Sequence, residues 1–162
     1  MSEPSEPQPS AARAAGLSAG CAGALVRPGT PPSGHLFAYG TLELPAVLTK
    51  VTGREHVARA ALLSGFSRYL LARDPYPAMI ADPAGSVAGS VFLDLDATAF
   101  ARLDAYEGDL YERCQLSVTV GDAVLQAQSY VLRGEFHSLL SAAPWDRHEF
   151  ERRHLEGYLA RL

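Results

Sequence analysis

The sequence predicts an α+β fold, a small mixed and mostly antiparallel β-barrel with flanking helices. Stretches with the residue pattern of β-strands, separated by glycine and proline turns, outnumber the helical stretches. The few helices are short, and the last is amphipathic, which favours packing on the outside of a sheet. A chain of 162 residues is long enough for one domain with a single substantial core.

The first 33 residues differ in composition from the rest. They are rich in Pro, Ser, Ala and Gly, which bury too little surface to offset the entropy of ordering. We therefore expect residues 1–33 to form a disordered tail and residues 34–162 to form the domain. The apolar run at 14–26 is too short to span a bilayer, and Glu3 and Glu6 stand where a secretion signal needs basic residues.

The first half of the domain contains most of the predicted strands. A strand at His35–Tyr39 leads to a short helix at Pro45–Val51, with proline at its start. Four further extended segments are bounded by Gly65 and by proline-containing turns, at Val57–Ser64, Phe66–Ala72, Tyr76–Ala81 and Val87–Leu95.

The second half begins with a helix. Asp96 is a suitable N-cap for a helix over Ala97–Glu107, and Gly108 is a natural terminator. Strands at Gln115–Val120 and Ala123–Leu132 form a hairpin around the Gly121-Asp122 turn. An amphipathic helix from Trp145 to about Arg161 ends the chain.

Glu107 is the first candidate for chemistry. At 100° per residue, it lies about 20° from Phe100 and about 40° from Leu103 around the helix axis. A carboxylate on an apolar face is costly unless it has a use. The alternative interpretation is a residue at the helix end that reaches solvent or pairs with a nearby arginine such as Arg113.

The second candidate is the turn after the first strand. A strand that ends in Tyr39-Gly40-Thr41 frees successive backbone N–H groups, and Gly40 lets a ligand approach the main chain closely. The alternative interpretation is that these residues form an ordinary connection between a strand and a helix and bind no ligand. Downstream, Tyr111 could add a phenol hydrogen bond to a pocket or simply pack across strands, and Tyr76 could line the same cavity.

Seven short motifs occur in an order that resembles a known family. They begin with Phe37-Ala38-Tyr39-Gly40-Thr41-Leu42 and include Leu103-Asp104-Ala105-Tyr106-Glu107-Gly108 and Tyr111-Glu112-Arg113. From Leu36 to Arg161 the chain resembles the gamma-glutamylcyclotransferase-like proteins, most closely their plant avirulence-induced-gene-2 branch and its bacterial relatives. The resemblance implies the same small mixed barrel.

The resemblance also implies an activity and a site. Glu107 matches the glutamate that acts in that family as general base. The stretch formed by Tyr39, Gly40, Thr41, Leu42, Glu43 and Leu44 matches the loop that holds the free amino acid end of a gamma-glutamyl group. Many relatives have basic or polar residues in place of Glu43 and Leu44, and this difference bears on substrate preference.

The sequence has few of the features that other classes of function require. The net charge is −4 and no basic run is present, so nucleic acid is not an expected partner, and neither is a membrane. His148 and His154 lie about 120° apart around a helix, which disfavours a metal site. Cys21 and Cys114 are too far apart in sequence to suggest a disulfide framework or a metal knuckle, which favours a reducing, cytoplasmic setting.

The function that the resemblance implies is gamma-glutamyl cyclotransfer, the release of 5-oxoproline and a free amine from a small gamma-glutamyl substrate, with no cofactor. Two alternatives stay open. One is a barrel of the same fold that binds a small ligand or a protein without turnover. The other is removal of a gamma-glutamyl group in a biosynthetic route, by the same mechanism. The sequence predicts neither the leaving group nor the oligomeric state.

Overall fold

The structure is a computed structural model that describes residues 34–162. Its centre is a closed barrel with the strand order β1-β3-β2-β4-β5. Adjacent strands are antiparallel except β5 and β1, which are parallel. The strands are β1 (Gly34–Ala38), β2 (Ala58–Leu70), β3 (Pro77–Leu95), β4 (Tyr111–Val120) and β5 (Ala123–Leu132). The predicted fold class is confirmed, and the predicted tail at 1–33 lies outside the described residues.

The long strands β2 and β3 correct the prediction of four short ones. Gly65 does not end a strand. It has a φ of +87° and lies where the β2–β3 register shifts, between Ser64 and Phe66. A bulge at a glycine bends a strand while its pairing continues on either side. The segment around Asp82 also stays within β3, where its carboxylate accepts a 2.6 Å hydrogen bond from Ser67.

The first two helices agree with the sequence analysis. Helix α1 covers Pro45–Thr52, and helix α2 covers Ala97–Glu107. The Asp96 carboxylate accepts a 2.8 Å hydrogen bond from the Ala99 N–H, which confirms the predicted N-cap. A single 3-10 turn at Thr41–Glu43 connects β1 to α1.

The predicted helix from Trp145 to Arg161 is wrong in two respects. The segment forms two helices, α3 (Arg147–Arg153) and α4 (Leu155–Arg161). They are separated at His154, where a φ of −125° with a ψ of −24° departs from the helical conformation. Asp146 caps α3 by accepting from the Glu149 N–H at 2.9 Å. Trp145 therefore precedes the helix and is buried, with its indole N–H donating to the Pro75 carbonyl at 3.0 Å.

Two large apolar clusters and a smaller third one around Leu71, Ala78 and Leu132 hold these elements together. One large cluster fills the barrel and includes Phe37, Met79 and Val91. The other large cluster lies between the barrel and the helices and includes Phe92 and Phe100. Because β1 contributes alternate residues to both large clusters, the end of β1 is fixed from both sides.

Three smaller findings concern function classes. Among residues 34–162, no helix is long and apolar enough to cross a membrane. The same residues contain no group of three or more His, Cys, Asp or Glu side chains that could hold a metal ion. Cys114 is buried on β4 and is not a free thiol, contrary to what the wide spacing of the two cysteines suggested.

Candidate active site

A cavity of about 250 Å³ opens at the end of β1. Its wall combines the turn after β1, the loop between β2 and β3, the end of α2 and the beginning of β4. The lining includes Gly40, Thr41 and Leu42 on one side and Glu107 and Tyr111 on another. Residues 65 or more positions apart in sequence therefore meet in one concave site.

Glu107 reaches this cavity from the last position of α2. Phe100 and Leu103 share its helix face and are fully buried at 0% exposure, so this face of α2 packs against the core. Within the described residues, no hydrogen bond or ion pair involves the Glu107 carboxyl. Burial raises its pKa from 4.5 to about 8. The half-buried carboxyl is thus largely desolvated, unpaired among the described residues and open to a ligand in the cavity.

Three tyrosines surround Glu107 without donating to it. Tyr39 donates to the Tyr130 carbonyl at 2.6 Å, Tyr111 donates to the Pro77 carbonyl at 3.0 Å, and Tyr130 donates to Asp104 at 2.7 Å. Burial raises the pKa of all three phenols, so they remain protonated. Because each hydroxyl hydrogen is committed elsewhere, none of them lowers the pKa of Glu107.

The turn after β1 forms the opposite side of the cavity. Thr41 and Leu42 begin a 3-10 turn, so their N–H groups have no acceptor within it. The Arg68 guanidinium on β2 donates to the Tyr39 carbonyl at 2.6 Å and fixes the strand just before the turn. The turn therefore presents backbone donors on a rigid support.

A chain of hydroxyl groups ties this turn to the C-terminal helix. The Thr41 hydroxyl lies 3.1 Å from the Tyr106 hydroxyl, and the Tyr106 hydroxyl in turn contacts that of Tyr158 on α4. The sequence analysis included Thr41 but missed both tyrosines. Tyr106 precedes Glu107 on the same helix, and this adjacency was the one available signal.

Two predicted substrate-binding residues do not line the cavity. The Glu43 carboxylate accepts from the Ser90 hydroxyl at 3.0 Å and lies 3.6 Å from the Arg147 guanidinium. Leu44 is buried between the barrel and the helices. Their backbone N–H groups donate to Gly40 and Thr41 within the turn. Both residues stabilise the turn from behind.

The alternative pairing of Glu107 with Arg113 does not occur. Arg113 instead lies 2.6 Å from the Asp104 carboxylate and stacks 5.6 Å from the Phe100 ring centre. Tyr76 does line the cavity, as does Asp74, which the sequence analysis did not single out. Asp74 lies in an irregular loop, where no periodic pattern marks a residue as facing inward.

Gly40 also has a structural role that the sequence did not indicate. A Cβ added at Gly40 would lie 2.4 Å from the Cγ of Pro77, on the adjacent strand β3. The space above its Cα is therefore occupied by a rigid proline ring. A larger residue here would push the turn away from β3.

We expect Gly40→Ala to lower the free energy of unfolding by about 1–3 kcal/mol, because the methyl group overpacks a rigid contact. Urea denaturation measures the change. Gly157→Ala is the matched control, since its added Cβ would meet only the Arg161 guanidinium at 3.9 Å. The control should be at least as stable as the parent, because alanine favours a helix more than glycine does. A Gly40→Ala protein as stable as the parent would show that the turn can shift without cost.

The raised pKa of Glu107 predicts a pH-dependent stability. The unfolded carboxyl ionises near 4.5 and the folded one near 8, so the parent loses stability as pH rises between these values. We expect Glu107→Gln to melt with the parent at pH 4.5 and about 5 °C or more above it at pH 8.5. Thermal melting at both pH values tests this, with exposed Glu55→Gln as control. A constant difference across the range would contradict it.

Comparisons with known proteins agree with this architecture. The family model described as gamma-glutamyl cyclotransferase, AIG2-like, matches residues 36–147. "Protein AIG2 C" of Arabidopsis thaliana is 28% identical over 80% of this chain and 79% of its own length. "AIG2-like protein C" of the same plant is 31% identical over 76% and 73%.

Solved structures show the same fold. A protein of Arabidopsis thaliana solved in solution superposes with a TM-score of 0.63 and 27% identity, covering 84% of this chain and 83% of its own. A structure titled gamma-glutamyl cyclotransferase has a TM-score of 0.56 and 17% identity, covering 62% and 67%, and supports the fold alone. From the family match over most of the domain and these relatives, the chain belongs to the AIG2-like gamma-glutamyl cyclotransferase family.

Proposed function

We propose that the protein is a gamma-glutamylcyclotransferase, which converts a gamma-glutamyl amine or peptide into 5-oxoproline and a free amine. Membership of the family supports this reaction class. The observation that carries the proposal is the Glu107 carboxyl, which is desolvated and unpaired among the described residues, in the same cavity as the turn at Gly40–Leu42.

The substrate contains its own nucleophile. The α-amine of the glutamyl group attacks its γ-carbonyl carbon, a C–N bond forms, and the original amide C–N bond breaks. The ring therefore closes without a covalent enzyme intermediate, without water and without a cofactor. The protein has to hold the chain bent, remove a proton from the α-ammonium and stabilise negative charge on the carbonyl oxygen.

Glu107 is the proposed general base. In its ionised form it accepts a proton from the α-ammonium, which leaves a neutral amine able to attack. As the amide bond breaks, a second proton moves from the attacking nitrogen to the departing one, and protonated Glu107 can return its own proton to the released amine. A base with a pKa near 8 is well matched to this exchange at neutral pH.

The turn and the tyrosines are proposed to position the substrate. The N–H groups at Thr41 and Leu42 suit the α-carboxylate, because backbone donors at the start of a turn favour anions. Tyr39 and Tyr111 have fixed hydroxyl orientations, so they shape the wall around the bent chain. Thr41 is itself held by the hydroxyl of Tyr106.

A panel of gamma-glutamyl amines and peptides tests the proposal, with 5-oxoproline release measured by mass spectrometry. We expect at least one member to be converted and the signal to disappear with Glu107→Gln. No conversion of any member, with binding retained in calorimetry, would favour the alternative of a barrel that binds its ligand without turnover. Neither conversion nor binding would contradict both functions.

A further inference from the structure

The side chains that line the cavity include acidic groups and, among the described residues, no basic group. Two carboxylates line it, Glu107 and Asp74, and no lysine or arginine of the described chain does so. Two arginines on strands beside the cavity are engaged elsewhere. Arg113 pairs with Asp104, and Arg68 donates to the Tyr39 carbonyl.

The Asp74 side chain makes no stabilising polar contact within the described part of the fold. Its carboxylate is exposed, and no ion pair or hydrogen bond of residues 34–162 involves it. It nevertheless lines the cavity, as does Tyr111. Its charge adds to burial and to the charge of Glu107 in raising the pKa of the Tyr111 phenol. A molecule in the cavity therefore meets the charge of Asp74 at the cavity wall.

The loop that contains Asp74 is anchored on both sides. The Leu71 N–H donates to the Tyr76 carbonyl at 2.9 Å and closes the loop at its base. The Trp145 indole donates to the Pro75 carbonyl at 3.0 Å and ties the loop to the segment before α3. The backbone of an anchored loop does not have to be ordered when a ligand binds, which reduces the entropic cost of binding.

We infer that Asp74 selects substrates whose leaving amine carries a second positive charge. This inference rests on the proposed function. Glu107 then receives the α-ammonium and the turn receives the α-carboxylate, which leaves Asp74 as the remaining charge for the leaving group. A cationic group is attracted there, whereas a carboxylate meets no cation and is repelled.

The aromatic lining near Asp74 favours the same class of ligand. Tyr76 and Tyr111 line the cavity beside it. An ammonium group is attracted to the face of an aromatic ring, and a carboxylate is not. Charge and ring chemistry thus agree on a cationic leaving group.

Three matched compounds test the inference. They are the gamma-glutamyl amides of 1,4-diaminobutane, of butylamine and of 4-aminobutanoate, whose distal groups are positive, neutral and negative. We expect kcat/KM to fall by roughly tenfold at each step in that order at low salt. The differences should shrink as ionic strength rises, because salt screens charges near the surface.

Variants assign this preference to Asp74. Asp74→Asn should reduce the preference for the cationic over the neutral compound by about threefold or more, and Asp74→Lys should favour the carboxylate compound. Asp122→Asn is the matched control. It removes the same charge from the exposed turn between β4 and β5 and should leave the order unchanged.

Binding separates this inference from the proposed function. The Glu107→Gln protein, with and without Asp74→Asn, is titrated with the three compounds by calorimetry, so no turnover is needed. The same charge order in binding, without turnover by the parent, would sink the proposed reaction and retain the role of Asp74. Turnover of all three at equal rates, an order that Asp74→Asn does not change, or binding of none would overturn the role of Asp74.

Discussion

Glu107→Gln should lower kcat/KM by about 1,000-fold or more on any substrate that the parent converts. Gln has nearly the same size and can still hydrogen-bond, but it cannot accept a proton at neutral pH. Positioned general bases contribute about 10²–10⁴-fold to rate. The variant should remain folded, because the neutral amide relieves the cost of a desolvated carboxylate. Steady-state kinetics and thermal melting at pH 8 measure the two effects.

Glu112→Gln is the matched control for this prediction. Glu112 is the second residue of β4. One of its carboxyl oxygens is buried, and the residue does not line the cavity. We expect its kcat/KM to stay within about twofold of the parent. Activity of Glu107→Gln within tenfold of the parent would remove Glu107 from the role of base. Loss of its folded state would mark the carboxyl as structural.

A change of pH should have the second-largest effect on kcat/KM, after Glu107→Gln. The free enzyme needs ionised Glu107, whose pKa is about 8, while the substrate needs its ammonium form. The rate constant kcat/KM should therefore rise about tenfold per pH unit between pH 5.5 and 7 and reach its maximum near pH 8. Stopped assays in buffers of constant ionic strength measure the profile.

The profile of kcat should differ from that of kcat/KM. A bound substrate ammonium favours the ionised carboxyl and lowers its pKa in the complex. The acid limb of kcat should therefore lie at lower pH, and KM should increase as pH falls below 8. A kcat/KM profile that is flat from pH 5.5 to 8 would mean that no group with a raised pKa controls the reaction.

The sequence predicted local features well where one residue decides them. Asp96 as N-cap, Gly108 as terminator and the Gly121-Asp122 turn depend on the chemistry of one or two neighbouring positions. Gly65 misled the strand prediction, because a glycine that ends a strand and one that forms a bulge look alike in sequence. Which of them occurs depends on pairing with β3, which is not local.

The site was predictable only in part, for the same reason. The periodic helix face made Glu107 a candidate, and the glycine at the end of a strand made the turn at Gly40–Leu42 another. Their proposed roles came from the family resemblance. Asp74 and Tyr158 reach the site through the loop before β3 and through a helix whose break at His154 has no clear sequence signal. Glu43 and Leu44 are adjacent to the turn in sequence, but their side chains point to Ser90 and to the core.

The ionisation of Glu107 is the most direct test of this account. Protein labelled with ¹³C at the glutamate side-chain carboxyls is titrated by NMR, and Glu107→Gln identifies the resonance. We predict that this resonance titrates with a midpoint near pH 8. The midpoint should move to lower pH when a non-cleavable gamma-glutamyl analogue is added that keeps the α-ammonium and α-carboxylate but has CH₂ in place of the γ-carbonyl. A Glu107 resonance that titrates between pH 4 and 5, or one unaffected by the analogue, would contradict a desolvated base facing the substrate ammonium.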